Sequence, residues 1–261
     1  MFIAIDLETT GLSAETDRIV EIGALRFDAH GRDLGSFQSL VNPRRPVGPG
    51  AFAVHGISDA VLREAPGPET VLPSLLRWID ETPEALLLAH NASFDAAFLG
   101  RELARLGTTR EDLAIADTLA VARRAVPGVA NYRLDTLADR FGLDLSGSHR
   151  ALADCRRVMG IWLAMTAGVP PEPPPPRYPL RDAETPVPSG WSTMERAIAE
   201  GRRVRIEYAG GTRGEAPREI SPSGFRHMGG VTYVVAQCHL DAQEKAFRLD
   251  RVRKHEIVET A

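Results

Sequence analysis

Along the first two thirds of the chain the hydrophobic positions change period. Phe2–Leu7 is a short β-rich run suited to a buried strand, Ile19–Phe27 alternates like a second, and Leu34–Val41 is a third candidate ended by Asn42 and Pro43. The spacing then turns helical: Leu72, Leu75, Leu76 and Ile79 recur within Val71–Asp80. Leu86–His90 is another buried strand. Ser93–Leu106 is a helix with Phe94, Ala97, Phe98 and Leu103 inward, and Leu134–Phe141 and His149–Ala167 complete the helical set. Three strands followed by strands interleaved with helices predict an α/β domain, a mixed sheet covered by helices. From Pro170 to Pro188, 9 of 19 residues are proline. Such a segment lacks backbone donors and favours an extended spacer, the alternative being a rigid loop within one core. Beyond it the pattern changes again. Ser192–Glu200 is predicted as a short helix capped by Ser192, and Val204–Tyr208, Val231–Gln237 and Lys245–Leu249 alternate between turns at Gly210-Gly211 and Gly229-Gly230. The expected division is a domain over 1–167, a proline-rich linker over 168–190 and a small β-domain over 191–261.

Composition narrows the class. Apolar residues make up 43% and charged residues 25% of 261 residues, which excludes a disordered chain, a fibrous repeat and a disulfide-stapled mini-protein. No apolar run is long enough to cross a bilayer, and the N-terminus lacks a secretory pattern. Cys155 and Cys238 have no metal-type spacing and are expected to be reduced structural thiols of a cytoplasmic protein. The net charge of −4 is uneven: 17 Arg against 22 acids over 1–167, and 12 Lys and Arg against 10 acids over 189–261. An acidic body with a mildly basic tail has no broad cationic surface, so nucleic acid would be held by local patches or by metal ions.

Candidate chemistry lies in three acidic elements. Asp6 and Glu8 stand two apart in a strand and emerge on one face, where adjacent carboxylates in an apolar setting repel each other unless a hard divalent cation binds them. The bland alternative is an edge strand with solvated acids, against which Phe2, Ile3 and Ile5 argue. Asp95 opens the helix after His90-Asn-Ala-Ser-Phe, where an acid can also serve the helix dipole. Asp154 follows His149 by five residues, too far round one helical face. His149 reaches the same site only from the Gly147-Ser148 turn before the helix, and a histidine on such a turn is otherwise a surface residue.

In the order Asp6-Leu-Glu-Thr-Thr-Gly-Leu12, His90-Asn-Ala-Ser-Phe-Asp95 and His149-Arg-Ala-Leu-Ala-Asp154, the sequence resembles the DEDDh branch of the DnaQ-like 3′–5′ exonucleases over roughly Phe2–Ala167. Val54-His-Gly-Ile-Ser58 is similar to the segment that family places after its first motif. The resemblance implies an RNase H-like fold with a mixed five-stranded sheet and a phosphodiester hydrolase using two Mg²⁺ or Mn²⁺ ions. It also implies roles: Asp6 bridging both ions, Glu8 and Asp154 holding the ion that activates water, Asp95 the second ion, and His149 as general base. Thr9 and Leu12 match positions that grip the terminal nucleotide, while Asn91 and Phe94 support the site. His55 and His90 carry no motif role and are expected to be structural. The implied partner is nucleic acid, with single-stranded DNA 3′ ends and DNA repair or processing favoured. The alternatives are an exoribonuclease of the RNase T/oligoribonuclease type or a nucleic-acid-binding regulator with little nuclease activity.

From Trp191 to Glu259 the sequence resembles a WYL domain, a small SH3-like β-barrel. The resemblance rests on Arg203-Val-Arg-Ile-Glu-Tyr208, Arg218-Glu-Ile-Ser-Pro222, Val231–Cys238 and Phe247-Arg-Leu-Asp-Arg-Val252. Of the naming triplet only Tyr233 is kept. Arg203, Arg205, Arg218, Arg248 and Arg251, interleaved with Tyr208 and Tyr233, suit a cationic, stacking surface for single-stranded nucleic acid. The alternative is a solvated exterior in which these arginines pair with Glu207, Glu219 and Asp250.

Overall fold

The computed structural model describes residues 1–147, 149–181, 188–210, 217–228 and 231–258. Ser148, the latter part of the expected linker (182–187), and Gly211, Gly229 and Gly230 of the expected turns lie outside them. The chain divides into two compact units, Met1–Thr10 with Arg18–Ala183, and Gly11–Asp17 with Glu184–Ala261.

In the first unit β1 (Phe2–Thr9), β2 (Ile19–Phe27) and β3 (Asp33–Leu40) form an antiparallel meander. Three helices follow: α1 (Pro49–His55), α2 (Asp59–Arg63) and α3 (Pro68–Asp80). Then come β4 (Leu86–Ala89), α4 (Ser93–Arg105), β5 (Arg110–Asp117), α5 (Thr118–Ala125), α6 (Leu134–Arg140), α7 (Ala151–Thr166) and β6 (Arg177–Leu180). The sheet order is β3-β2-β1-β4-β5-β6, with β4 and β5 parallel to β1 and β6 antiparallel to β5. The expected mixed sheet with flanking helices is therefore present, with six strands rather than the five the resemblance implied. The sixth, Arg177–Leu180, lies within the stretch expected as spacer. Pro179 is tolerated there because β6 is an edge strand, and Leu180 is buried. Gly100 of α4 lets the chain turn past: a Cβ on it would stand 2.3 Å from the Arg181 carbonyl oxygen. β5 escapes a hydrophobic-pattern reading because its polar first half, Arg110-Glu-Asp, lies at or near the surface, and full burial is reached only at Ile115–Asp117.

The core beneath α7 joins Phe2, Ala4, Phe27, Leu88, Val158 and Trp162. Phe2 stacks on Phe27 at 5.3 Å and meets Trp162 edge-on at 5.7 Å.

The second unit holds α8 (Ser192–Ala199), β7 (Val204–Tyr208), β8 (Arg218–Met228), β9 (Val231–Cys238), β10 (Gln243–Arg248), a 3₁₀ turn at Leu249–Arg251 and β11 (Val252–Ile257). Its strands pair antiparallel in the order β10-β9-β8-β7-β11. This is the expected antiparallel sheet, but the pairings among the described residues leave it open rather than closed into the barrel the resemblance implied. Its core is Met194, Ala197, Val204, Ile206, Ile220, Val234 and Cys238. Ser192 is the first helical residue rather than the cap; Trp191 takes that position and accepts the N–H groups of Met194 and Glu195 at 3.0 Å each. The Gly11–Asp17 loop groups with this unit, with the Leu12 N–H donating to Glu244 at 2.9 Å. Cys155 and Cys238 are free and buried, and no helix among the described residues is long and apolar enough to cross a membrane.

Candidate active site

Strand periodicity places Phe2, Ala4, Asp6 and Glu8 on one face of β1. Phe2 and Ala4 lie in the core under α7. Toward the C-terminal end of the strand the same face carries the two carboxylates, with Asp6 opposite Gly23 and Glu8 opposite Glu21 on β2. Gly23 decides how close α7 comes. A Cβ there would stand 2.4 Å from the Ala151 carbonyl carbon and 2.5 Å from the Leu152 nitrogen, so only a residue without a side chain admits the start of the helix. The first turn of α7 then brings Asp154 to the carboxylates of β1.

His149 precedes α7 in the left-handed region (φ 62°), with its ring exposed. Its backbone N–H donates to Asp154 Oδ2 at 3.1 Å. Donor atoms of Glu8, His149 and Asp154 all lie within 4.8 Å of one another. His149 Nε2 is also 4.0 Å from Asp135. Asp154 is held from its other side by the buried Arg157, which also donates to the carbonyls of Asp144 (3.1 Å) and Ser146 (2.9 Å) and so ties down the loop leading to His149.

Asp95 enters from the first turn of α4 and is buried. The loop that delivers it is fixed by Asp117, whose Oδ1 accepts the N–H groups of Asn91 (3.0 Å), Ala92 (3.3 Å) and Leu119 (3.0 Å). Asn91 needs that support, since its φ is 75°. Phe94 packs on Phe98 at 4.7 Å.

The electrostatics follow from this crowding. Burial first, then the charges of Asp95, Asp154, Glu8 and Glu21, hold the Asp6 carboxyl well above its ordinary range. Glu8 is pushed up to about 8, by burial and then by Asp154, Glu21 and Asp95, against the opposing charge of Arg150. Burial also raises Asp154, in spite of its bond to Arg157. Glu21 behaves differently. Burial alone would raise it, but donors from Arg150, the Ala151 N–H and Gln38 outweigh that cost and its carboxyl titrates below the usual range.

Carboxylates held against their preference to stay neutral, with an imidazole beside two of them, fit a divalent cation that prefers hard oxygen ligands. Thr9 is buried, its carbonyl 3.3 Å from His55 Nε2, while His55 Nδ1 accepts the Ile57 N–H at 3.0 Å. His90 Nε2 lies 2.8 Å from the Tyr132 carbonyl and its Nδ1 3.1 Å from Thr118 Oγ1. Both rings thus serve the backbone and neighbouring loops, and burial lowers both pKa values. Sequence reasoning missed Glu21, Asp117, Arg150 and Arg157, which orient the site. The one available signal was Glu21, a carboxylate set among the apolar residues Ile19, Val20 and Ile22.

In the second unit the expected cationic set divides. Arg203 and Arg205 are exposed and paired with Glu219 at 3.8 and 3.1 Å, and Arg205 also with Glu256. Arg218 is buried, 5.8 Å from the Tyr208 ring, instead of lying on the surface. Tyr208 meets Phe247 edge-on, and its hydroxyl accepts the Arg248 N–H at 3.3 Å. Arg251 is exposed, and the Arg248 side chain is paired with Asp250 at 2.7 Å. Arg226, Tyr233 and Arg248 occupy one row across β8, β9 and β10.

Residues 3–162 match the RNase T exonuclease family and residues 191–257 the WYL domain. The DNA polymerase III subunit epsilon of Treponema pallidum is 39% identical over 168 residues, 64% of this chain and 76% of that protein. The PolC-type DNA polymerase III of Caldanaerobacter subterraneus subsp. tengcongensis is 37% identical over 164 residues, 63% of this chain but 11% of that much longer one. The nuclease domain of 3′hExo, described as a DEDDh family member bound to rAMP, shares the fold with a TM-score of 0.55 at 17% identity, covering 63% of this chain and 90% of that one.

Proposed function

Because the chain belongs to the RNase T exonuclease family, we propose that it is a divalent-metal-dependent 3′–5′ exonuclease of the DEDDh type acting on single-stranded DNA 3′ ends. The observation that carries this reading is the convergence of Asp6, Glu8, Asp95 and Asp154 from three separate segments, with His149 beside Glu8 and Asp154. Asp6, Glu8, Asp95 and Asp154 would hold two Mg²⁺ or Mn²⁺ ions. When bound, such ions neutralise charge on the attacking and leaving oxygens and lower the pKa of bound water. His149 takes the proton from the attacking water on a ring nitrogen. The nearness of its ring to Glu8 and Asp154, and its backbone N–H bond to Asp154, support that role. Thr9 holds the terminal nucleotide. DNA as substrate is supported by the polymerase names of the relatives at 37% and 39% identity.

For the second unit the proposed role is nucleic-acid binding through its antiparallel sheet. The row Arg226–Tyr233–Arg248 is its best-supported element, because it sets a ring between two guanidinium-bearing positions on neighbouring strands. Arg203, Arg205 and Arg251 are exposed on the same unit and would add to that surface.

The deciding experiment is a panel of 3′- and 5′-labelled DNA and RNA oligonucleotides, single- and double-stranded, with Mg²⁺, Mn²⁺ or EDTA. Stepwise shortening from the 3′ end of single-stranded DNA, abolished by EDTA, is the expected result. Substantial hydrolysis in EDTA, or release from the 5′ end, overturns the reading.

A further inference from the structure

Arg150 stands between His149 and the first residue of α7. Its Nε and Nη2 donate to the two oxygens of Glu21 at 3.1 and 2.8 Å. Glu21 has 0% exposure, and it also takes the Ala151 N–H at 3.1 Å and Gln38 Nε2 at 2.9 Å. It faces Glu8 directly across the β1–β2 ladder. One edge of the guanidinium is therefore pinned by a buried anion at the rim of the carboxylate cluster. The Arg150 side chain nevertheless keeps 47% of its surface, and its Nη1 has no hydrogen-bond or ion-pair partner among the described residues.

We propose that Arg150 grips a phosphate oxygen of the bound strand through Nη1, with Glu21 fixing the plane of the guanidinium. A fixed cation at the rim of the cluster attracts an anionic strand most strongly over the few ångströms nearest to it. Arginine suits the task because its planar fork binds a carboxylate along one edge while presenting further donors to a phosphate. A lysine, with a single ammonium, cannot do both. A purely structural tie between β2 and α7 needs no exposed donor, since the Ala151 N–H already bridges the same elements through Glu21. The inference rests on the nuclease reading, because it presupposes a phosphodiester strand at the carboxylate cluster.

The test uses the full chain, a fluorescent single-stranded DNA oligonucleotide and Ca²⁺ in place of Mg²⁺, with affinity read by anisotropy across a KCl series. Arg150→Ala is expected to bind about tenfold more weakly, as for the loss of one charged hydrogen bond. The slope of log affinity against log salt should fall by about 0.7, the value for one phosphate contact on a single strand. Arg150→Ala alone strands a buried charge, so the double variant Arg150→Ala with Glu21→Gln is measured beside it and should show the same loss. A folded variant of either kind with wild-type affinity and slope overturns the proposal and leaves Arg150 a structural tie. Hydrolysis of the same oligonucleotide by the wild-type chain with Mg²⁺ is scored separately. Its absence would sink the nuclease reading, whereas the phosphate contact is judged on the salt slope.

Discussion

Glu8 illustrates how single residues set the behaviour of the site. Its carboxyl is shielded from water and faces Asp154, Glu21 and Asp95, so its proton is held to about pH 8. A group whose folded pKa is raised binds protons more tightly in the folded than in the unfolded chain. Its contribution to stability is therefore complete below the ordinary carboxylate pKa and is lost as pH rises towards 8. The metal-free protein is expected to lose thermal stability between about pH 4.5 and pH 8. Added Mg²⁺ should restore the midpoint most strongly at the alkaline end. Glu8→Gln should raise the metal-free midpoint at pH 8 by roughly 2–4 °C per kcal/mol recovered, and leave it unchanged at pH 4.5. A midpoint that climbs with pH in EDTA would contradict this. His149 and Asp154 separate by the same kind of measurement. His149→Ala should lower kcat by about 10²–10⁴ yet keep the Mg²⁺-induced rise in midpoint, whereas Asp154→Asn should lose both. Equal retention of the metal response in the two variants would argue against Asp154 as a ligand.

Secondary-structure elements place these residues, and two close approaches matter most. α7 reaches the carboxylates because Gly23 lets its backbone lie against β2. Gly23→Ala must push the Ala151–Leu152 peptide away, which is expected to cost about 1–3 kcal/mol by chemical denaturation and to depress hydrolysis further than the lost stability explains. An unaltered denaturation midpoint would show that the helix has room to shift. The second approach is the β4–α4 loop, where Asp117 Oδ1 takes the N–H groups of both Asn91 and Ala92. Asp117→Ala removes the cap of α5, worth about 1 kcal/mol, but also frees the turn that delivers Asp95. Activity should fall by more than tenfold while the midpoint moves only a few degrees; the reverse pattern would make Asp117 a cap and nothing more.

For the molecule as a whole, the sixth strand decides where the first unit can be cut. Leu180 is buried beside β5, and the chain passes against Gly100 at Arg181. A chain ending at 181 should therefore unfold at a higher denaturant concentration than one ending at 167, which would leave β5 as a bare edge. Equal midpoints would mean that β6 contributes nothing. Deleting residues 190–261 from the full chain tests the second unit. Weaker binding of long single-stranded DNA with hydrolysis of short oligonucleotides retained is expected, and unchanged affinity and length preference would remove the binding role.

Much of this was legible in the chain itself. The periodicity of Phe2–Leu7, Ile19–Phe27 and Ser93–Leu106 is written in local spacing, because a strand or helix that buries one face must repeat its apolar residues. Asp6, Glu8, Asp95, His149 and Asp154 could be named because the three motifs that carry them are contiguous. The partners that make those residues usable were not legible. Glu21 meets Arg150 from 129 positions away, Asp117 holds a loop 26 residues earlier, and Gly23 acts through a helix on the far side of the sequence. No local pattern encodes such pairings. Only the folded sheet brings Gly23 under Ala151, buries Arg218 against Tyr208, and draws Arg177–Leu180 out of a proline-rich stretch into an edge strand, because packing and backbone hydrogen bonding are satisfied between segments and not within them.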